Sequence, residues 1–148
     1  MRKDLPLPIS IAVLAGVAAA AALLVTRNYA ANKAGADEGW STKKIMNKVH
    51  FGKKSPFSVV YGDIQKAEPD WQTDEKNLAE IVRLMSMLTK RKPPRGSQEA
   101  WDKLVRDYVD NAKDMQQYVK EHKLQPARDS LDKVRATCDD CHDNHGVK

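Results

Sequence analysis

Cysteine is nearly missing from this chain: 148 residues hold two, both in one pentapeptide, Cys138-Asp139-Asp140-Cys141-His142. That scarcity excludes a disulfide-stapled scaffold, because a bridge across two intervening residues constrains almost nothing. Long blocks of like charge are missing too, although 25 Lys and Arg stand against 20 Asp and Glu for a formal net charge of +5. A mild, scattered excess of this kind argues against nucleic acid as a partner. It favours a basic surface that meets an acidic protein, since complementary charge speeds encounter more than it tightens binding. Strand signals are nearly lacking, so a thioredoxin-like dithiol, which needs a βαβ setting, has no scaffold here. No charged constellation converges on the cysteine motif in a way that implies acid–base chemistry, so the chain reads as a non-enzyme.

What is present begins at the N-terminus. Met1-Arg2-Lys3 precedes a run from Ile9 to Val25 without a single charge, which is long for the core of a cleaved signal and short for a spanning helix. Residues 1–27 are therefore expected to form a signal-anchor or transmembrane helix, with Arg2 and Lys3 on the cytoplasmic side. The alternative is a cleaved signal peptide, and Ala34-Gly35-Ala36 fits the small-residue cleavage pattern. Either way the functional part is expected on the periplasmic side of the cytoplasmic membrane. Residues 28–39 are small and polar and suit a flexible tether.

Residues 40–148 carry four helical patterns. The first spans about Thr42 to His50, with Ser41 or Thr42 as N-cap and Ile45, Met46 and Val49 on one face. Phe57 to Glu68 reads either as an irregular loop or as one short helix around Val59 to Gln65. The second helix begins near Pro69-Asp70-Trp71 and sets Leu78, Ile81, Val82, Met85 and Leu88 on one stripe. Pro93-Pro94 stops it. The third starts at Ser97 and repeats Trp101, Leu104, Val105, Tyr108, Ala112, Met115, Tyr118 and Val119 at helical spacing. The fourth opens near Pro126, places Ala127, Leu131, Val134 and Cys138 on one face, and ends at Gly146. The expected fold is all-α, an antiparallel four-helix bundle with the cysteine motif at the end of its last helix.

Cys138, Cys141 and His142 form the C-x-x-C-H signature of covalent haem c attachment. Two thioethers to one porphyrin edge need two sulfurs on one face, which helical positions three apart provide. The adjacent histidine then serves as a ligand to the iron. Zinc is the main rival, with His145 as a fourth donor beside Cys138, Cys141 and His142. Four ligands within so short a segment close a tetrahedron poorly, and zinc sites usually draw on two separated pairs.

Helix order and motif position resemble the exported four-helix-bundle c cytochromes of the cytochrome c′ and cytochrome c556 group. The resemblance covers roughly Trp40 to Lys148. It implies one covalently attached haem c and a distal residue taken from the first helix, at the position occupied here by Met46. A methionine there implies six-coordinate iron. An apolar residue implies an open site that binds nitric oxide or carbon monoxide. Two positions depart from the group's pattern: Thr42 stands where an arginine is frequent, and His145-Gly146 where an aromatic and a basic residue often follow.

Chemistry alone offers Met46, His50, Met85, Met87, Met115, His122 and His145 as second ligands. His145 shares a short segment with His142 and is set aside. Met85 and Met115 fit apolar stripes, Met87 lies off the stripe, and His122 sits in a charged stretch. Met46 and His50 remain, four residues apart and about 6 Å along the helix axis, so one of them, or neither, lies over the iron. The expected function is single-electron transfer outside the cytoplasmic membrane, either tethered or within a membrane redox complex. The partners are then membrane or soluble redox proteins, and Lys43, Lys44, Lys53 and Lys54 guide docking. The alternative is a gas-binding haem protein with an open distal site.

Overall fold

The computed structural model of the chain describes residues 39–146; the expected N-terminal helix over 1–27, and the expected tether over 28–39 apart from Gly39, lie outside them. The described residues form five α-helices and no strand. Helix α1 spans Thr42–His50, α2 Pro56–Asp63, α3 Trp71–Ser86, α4 Gln98–Lys120 and α5 Leu124–His145. A 3₁₀ turn, Met87–Lys90, extends the end of α3. Among the described residues no helix is long and apolar enough to cross a membrane.

Four of the five helix starts have a side-chain cap. The Ser41 and Ser55 hydroxyls accept from the N–H groups of Lys44 and Ser58, at 3.2 and 3.3 Å, and Ser97 does the same for Ala100 at 3.1 Å. Asp70 accepts from Thr73 N–H at 3.1 Å. A side-chain acceptor at this position satisfies one of the N–H groups that the first turn leaves without a helical partner. Pro56 opens α2 at a position where no N–H is needed. Two boundaries differ from expectation. Pro69 precedes the cap instead of sitting in the first turn of α3. Helix α5 starts at Leu124, ahead of Pro126, without a side-chain cap, because a first-turn proline sacrifices no helical hydrogen bond.

Helices α3, α4 and α5 pack along one another as successive antiparallel neighbours. Trp71 at the start of α3 stacks on His122, just beyond the end of α4, with centroids 5.1 Å apart. At the opposite end, Trp101 meets His145 edge-on at 5.2 Å and donates its indole N–H to the Leu88 carbonyl at 3.0 Å. The main core lies between these three helices: Leu78, Ile81, Leu84, Trp101, Val105, Ala112, Met115, Val119, Ala127, Leu131 and Val134 are all buried. The shorter α1 and α2 pack on α3 and on each other, through Ile45, Val49, Val60 and Ile64. Arg128 of α5 reaches the end of α2, donating to the carbonyls of Ile64, Gln65 and Lys66 at 2.9, 3.0 and 3.0 Å. The result is a gap that separates α1 and α2 from the C-terminal half of α5.

Candidate functional site

That gap is a groove of about 1020 Å³, walled by residues of α1, α2 and α5. One wall is α5, with Arg135, Cys138, Asp139 and His142; the other is α1 and α2, with Met46, Asn47, His50, Phe57, Ser58 and Tyr61. Phe51, at the end of α1, completes the rim. A site of this size lies at the upper end of the range for small-molecule and cofactor pockets. Phe51 is 81% exposed and Tyr61 39%, and these two large hydrophobics border the same opening. Beneath the groove runs a narrow apolar crevice with space for about 30 Å³. It shares Met46, Cys138 and His142 with the groove and continues past Cys141 to Met85, Leu88, Trp101 and Tyr108.

Helical spacing explains how the motif meets the groove. Cys138 and Cys141 are three apart near the end of α5, so both sulfurs lie on the side facing the core, each half-buried. His142, one position on, is turned outward and exposed, yet still borders the groove. The two cysteines are unbridged. Burial, helped by the neighbouring Asp139 and Cys141, pushes the Cys138 thiol up to about 11, and burial raises Cys141 as well. Both are therefore neutral thiols at physiological pH, the opposite of the depressed pKa that marks a redox-active dithiol.

On the facing wall, Met46 is half-buried and packs against the core cluster. His50, one turn later, is held by two aromatic residues. Its ring lies 4.9 Å from that of Phe57 and 5.9 Å, edge-on, from that of Tyr108. Its Nε2 stands 3.4 Å from the Tyr108 hydroxyl. Burial, and secondarily the charge on His142 across the groove, pulls the His50 pKa down to about 4, so the imidazole is neutral. Tyr108 is itself buried, and its pKa is raised by that burial and then by Cys138. The aromatic wall continues from Phe57 to Tyr61, whose rings stack at 6.3 Å, and Arg135 lies over Tyr61 at 5.4 Å.

The remaining sequence candidates go elsewhere. Met115 is a core residue and His122 a surface ring stacked on Trp71. Met87 lies in the 3₁₀ turn, and Met85 borders the crevice without reaching the groove. His145 is fully buried on Trp101 and the Arg95 carbonyl, so it does not join Cys138, Cys141 and His142. Among the described residues no three His, Cys, Asp or Glu side chains gather to hold a metal ion. Sequence reasoning did not find Tyr61, Phe57 and Tyr108 as site residues. The first two lie in the stretch whose conformation it left open, and Tyr108 reads as an ordinary member of the core stripe. Charge is divided across the opening: Lys43, Lys44 and Lys48 are exposed on α1, while Asp139, Asp140 and Asp143 are exposed on α5. Comparison with family models, with curated proteins and with solved structures finds no match to this chain.

Proposed function

We propose that this chain is a mono-haem c-type cytochrome that carries single electrons outside the cytoplasmic membrane, tethered by its N-terminal apolar segment or held in a membrane redox complex. The observation that carries the reading is the placement of Cys138 and His142 on one wall of the groove, with Cys141 lining the crevice beside it. Opposite them stand a thioether and a neutral imidazole, with an aromatic margin. The residues fit the group. Cys138 and Cys141 supply thiols, each of which adds across one vinyl group without a leaving group, and His142 supplies the adjacent imidazole. Met46 is the proposed second ligand, with His50 as the alternative. His50 already has Tyr108 as a hydrogen-bond partner, which leaves Met46 as the uncommitted donor on that wall.

Haem c supplies a one-electron couple at its iron when bound. The chain's own residues set how that couple behaves. A thioether at Met46 favours a higher potential than a second imidazole at His50. Phe57, Tyr61 and Phe51 give the groove an aromatic margin, and an apolar surround is one of the protein's means of tuning a redox centre. In this reading α1 and α2 together complete a four-helix bundle with α3, α4 and α5.

The crevice behind Met46 favours a second reading. Its walls, Met85, Leu88, Trp101, Leu104 and Val105, are apolar, and its space of about 30 Å³ suits a diatomic gas better than any larger ligand. With its distal side left open, a haem held here would bind carbon monoxide or nitric oxide beside that crevice. An absorption spectrum of the purified full-length protein, oxidised and then reduced, tests both. Sharp low-spin bands that ignore carbon monoxide support electron transfer. High-spin bands that shift with the gas support the open site. A chain with no covalent haem after expression alongside a haem-attachment system would overturn both.

A further inference from the structure

The last turn of α5 carries Cys141 and His142, and helix ends fray unless something holds them. Here something does. His145 is fully buried at the end of that turn. Its Nδ1 lies 2.7 Å from the Arg95 carbonyl, which can only accept, so the proton of this bond sits on Nδ1. The ring meets Trp101 edge-on, with centroids 5.2 Å apart and planes at 80°. Trp101 in turn donates to the Leu88 carbonyl, and Leu88 lines the crevice under the groove. A continuous series of contacts thus joins the turn that bears His142 to the loop before α4 and to the end of α3.

The loop is shaped to receive the ring. Gly96 has φ +83°, a conformation that L side chains rarely adopt. A Cβ built there would stand 2.9 Å from His145 Nδ1 and 3.3 Å from the Asn144 carbonyl. Glycine at this position allows both the backbone turn and the close approach of the imidazole. The far nitrogen of His145, Nε2, is buried without a hydrogen-bond partner. Burying a polar atom without compensation costs stability, and leucine or phenylalanine would fill the same space without it. The donor at Nδ1 is what distinguishes histidine here.

We infer that His145 is a positioning residue for His142: by clamping the final turn of α5 to the Arg95 carbonyl and Trp101, it fixes where the His142 imidazole stands on the groove wall. This inference rests on the proposed haem site for its consequence, and on the observed contacts for the clamp itself. A mere core filler would tolerate phenylalanine. A positioning residue requires the Nδ1 donor, which the asparagine amide reproduces at the same point of the side chain.

The test compares the full-length wild type with His145→Phe and His145→Asn, each expressed alongside a haem-attachment system. Two properties are read: amide hydrogen exchange in the last turn of α5, and the redox midpoint of the bound haem. In His145→Phe, exchange over residues 141–146 is expected to quicken by about tenfold while the middle of α4 is unchanged. The midpoint shifts away from the wild-type value. His145→Asn brings both back toward wild type. Unchanged exchange in His145→Phe overturns the clamp. Faster exchange with an unchanged midpoint overturns the positioning role, because the turn would then loosen without moving His142. If the wild type carries no covalent haem, the haem reading falls, and the exchange data alone decide the clamp.

Discussion

At the scale of single residues, the site turns on two side chains one helical turn apart. Met46 borders both the groove and the crevice, whereas His50 borders the groove alone and is engaged with Tyr108. If the proposed haem c is bound with Met46 as its second ligand, Met46→Ala is expected to convert the reduced low-spin spectrum to high-spin, and His50→Ala to leave it low-spin with a shifted potential. The reverse pattern would make His50 the ligand. Two glycines give a contrast of sign. Gly96→Ala forces a Cβ into a positive-φ turn and against His145, and is expected to cost about 1–3 kcal/mol. Gly62 lies in α2, where an added methyl group would meet no atom within 4 Å. Gly62→Ala is expected to gain about 0.5–1 kcal/mol by stiffening the unfolded chain and favouring the helix. Urea unfolding of the two variants beside wild type reads both changes, and a loss in both would refute the distinction.

At the scale of elements, the attachment of α2 to α3 is expected to depend on pH. Asp63 closes α2, pairs with Lys66, and accepts the Asp70 backbone N–H. Beside it, Asp74 on α3 is fully buried with no donor at either carboxylate oxygen. Burial, followed by the charges of Asp63 and Asp70 and opposed by Lys66, raises its pKa to about 7. Protonated, Asp74 is able to donate to Asp63; ionised, it repels it. The folded value lies above the unfolded one, so the stabilisation is complete below about pH 4 and is lost progressively as pH rises to about 7. His50, whose folded pKa is lowered to about 4, gives the opposite slope between its folded value and about 6.5. The contribution of Asp74 is therefore isolated by subtraction. Relative to Asp74→Asn, wild type is expected to lose on the order of 2 kcal/mol of stability between pH 5 and pH 8. A constant difference over that range would rule out the raised pKa. The same element shows why the sequence was only partly legible. Helices α1, α3 and α4 declare themselves by caps and apolar periodicity, but α2 has apolar residues on several sides, including Val59, Val60 and Phe57, and no single stripe. Its signals are the Ser55 cap and Pro56, which mark a start without giving a length. Asp74 could not be read as buried, because its neighbour Asp63 comes from another helix.

At the scale of the whole molecule, the main core of the described residues lies between α3, α4 and α5, with the groove at its edge. The motif itself was legible, because its chemistry sits within five consecutive residues. Of the facing wall only Met46 and His50 were legible, since the rest depends on how α1 and α2 settle on α3. This division predicts unequal consequences of losing the cofactor. Helices α1 and α2 have 9 and 8 residues, too short to persist without tertiary packing. Together with the turn that follows α2, they contribute only four side chains to the buried apolar core, Ile45, Val49, Val60 and Ile64. In the proposed holoprotein the haem would bridge them to α5. Without it their hold on the rest of the molecule is α3, the Arg128 contacts at the end of α2, the His50–Tyr108 contact and Arg135 over Tyr61. The double variant Cys138→Ser with Cys141→Ser, which removes both attachment points, should therefore keep protected amides in α3, α4 and α5. Protection in α1 and α2 should fall by about tenfold or more, because local opening is governed by the few contacts each unit makes. Hydrogen exchange resolved by segment measures this directly. Loss of protection throughout would mean that the cofactor organises the entire core, and undiminished protection in α1 and α2 would mean that the groove walls stand without it.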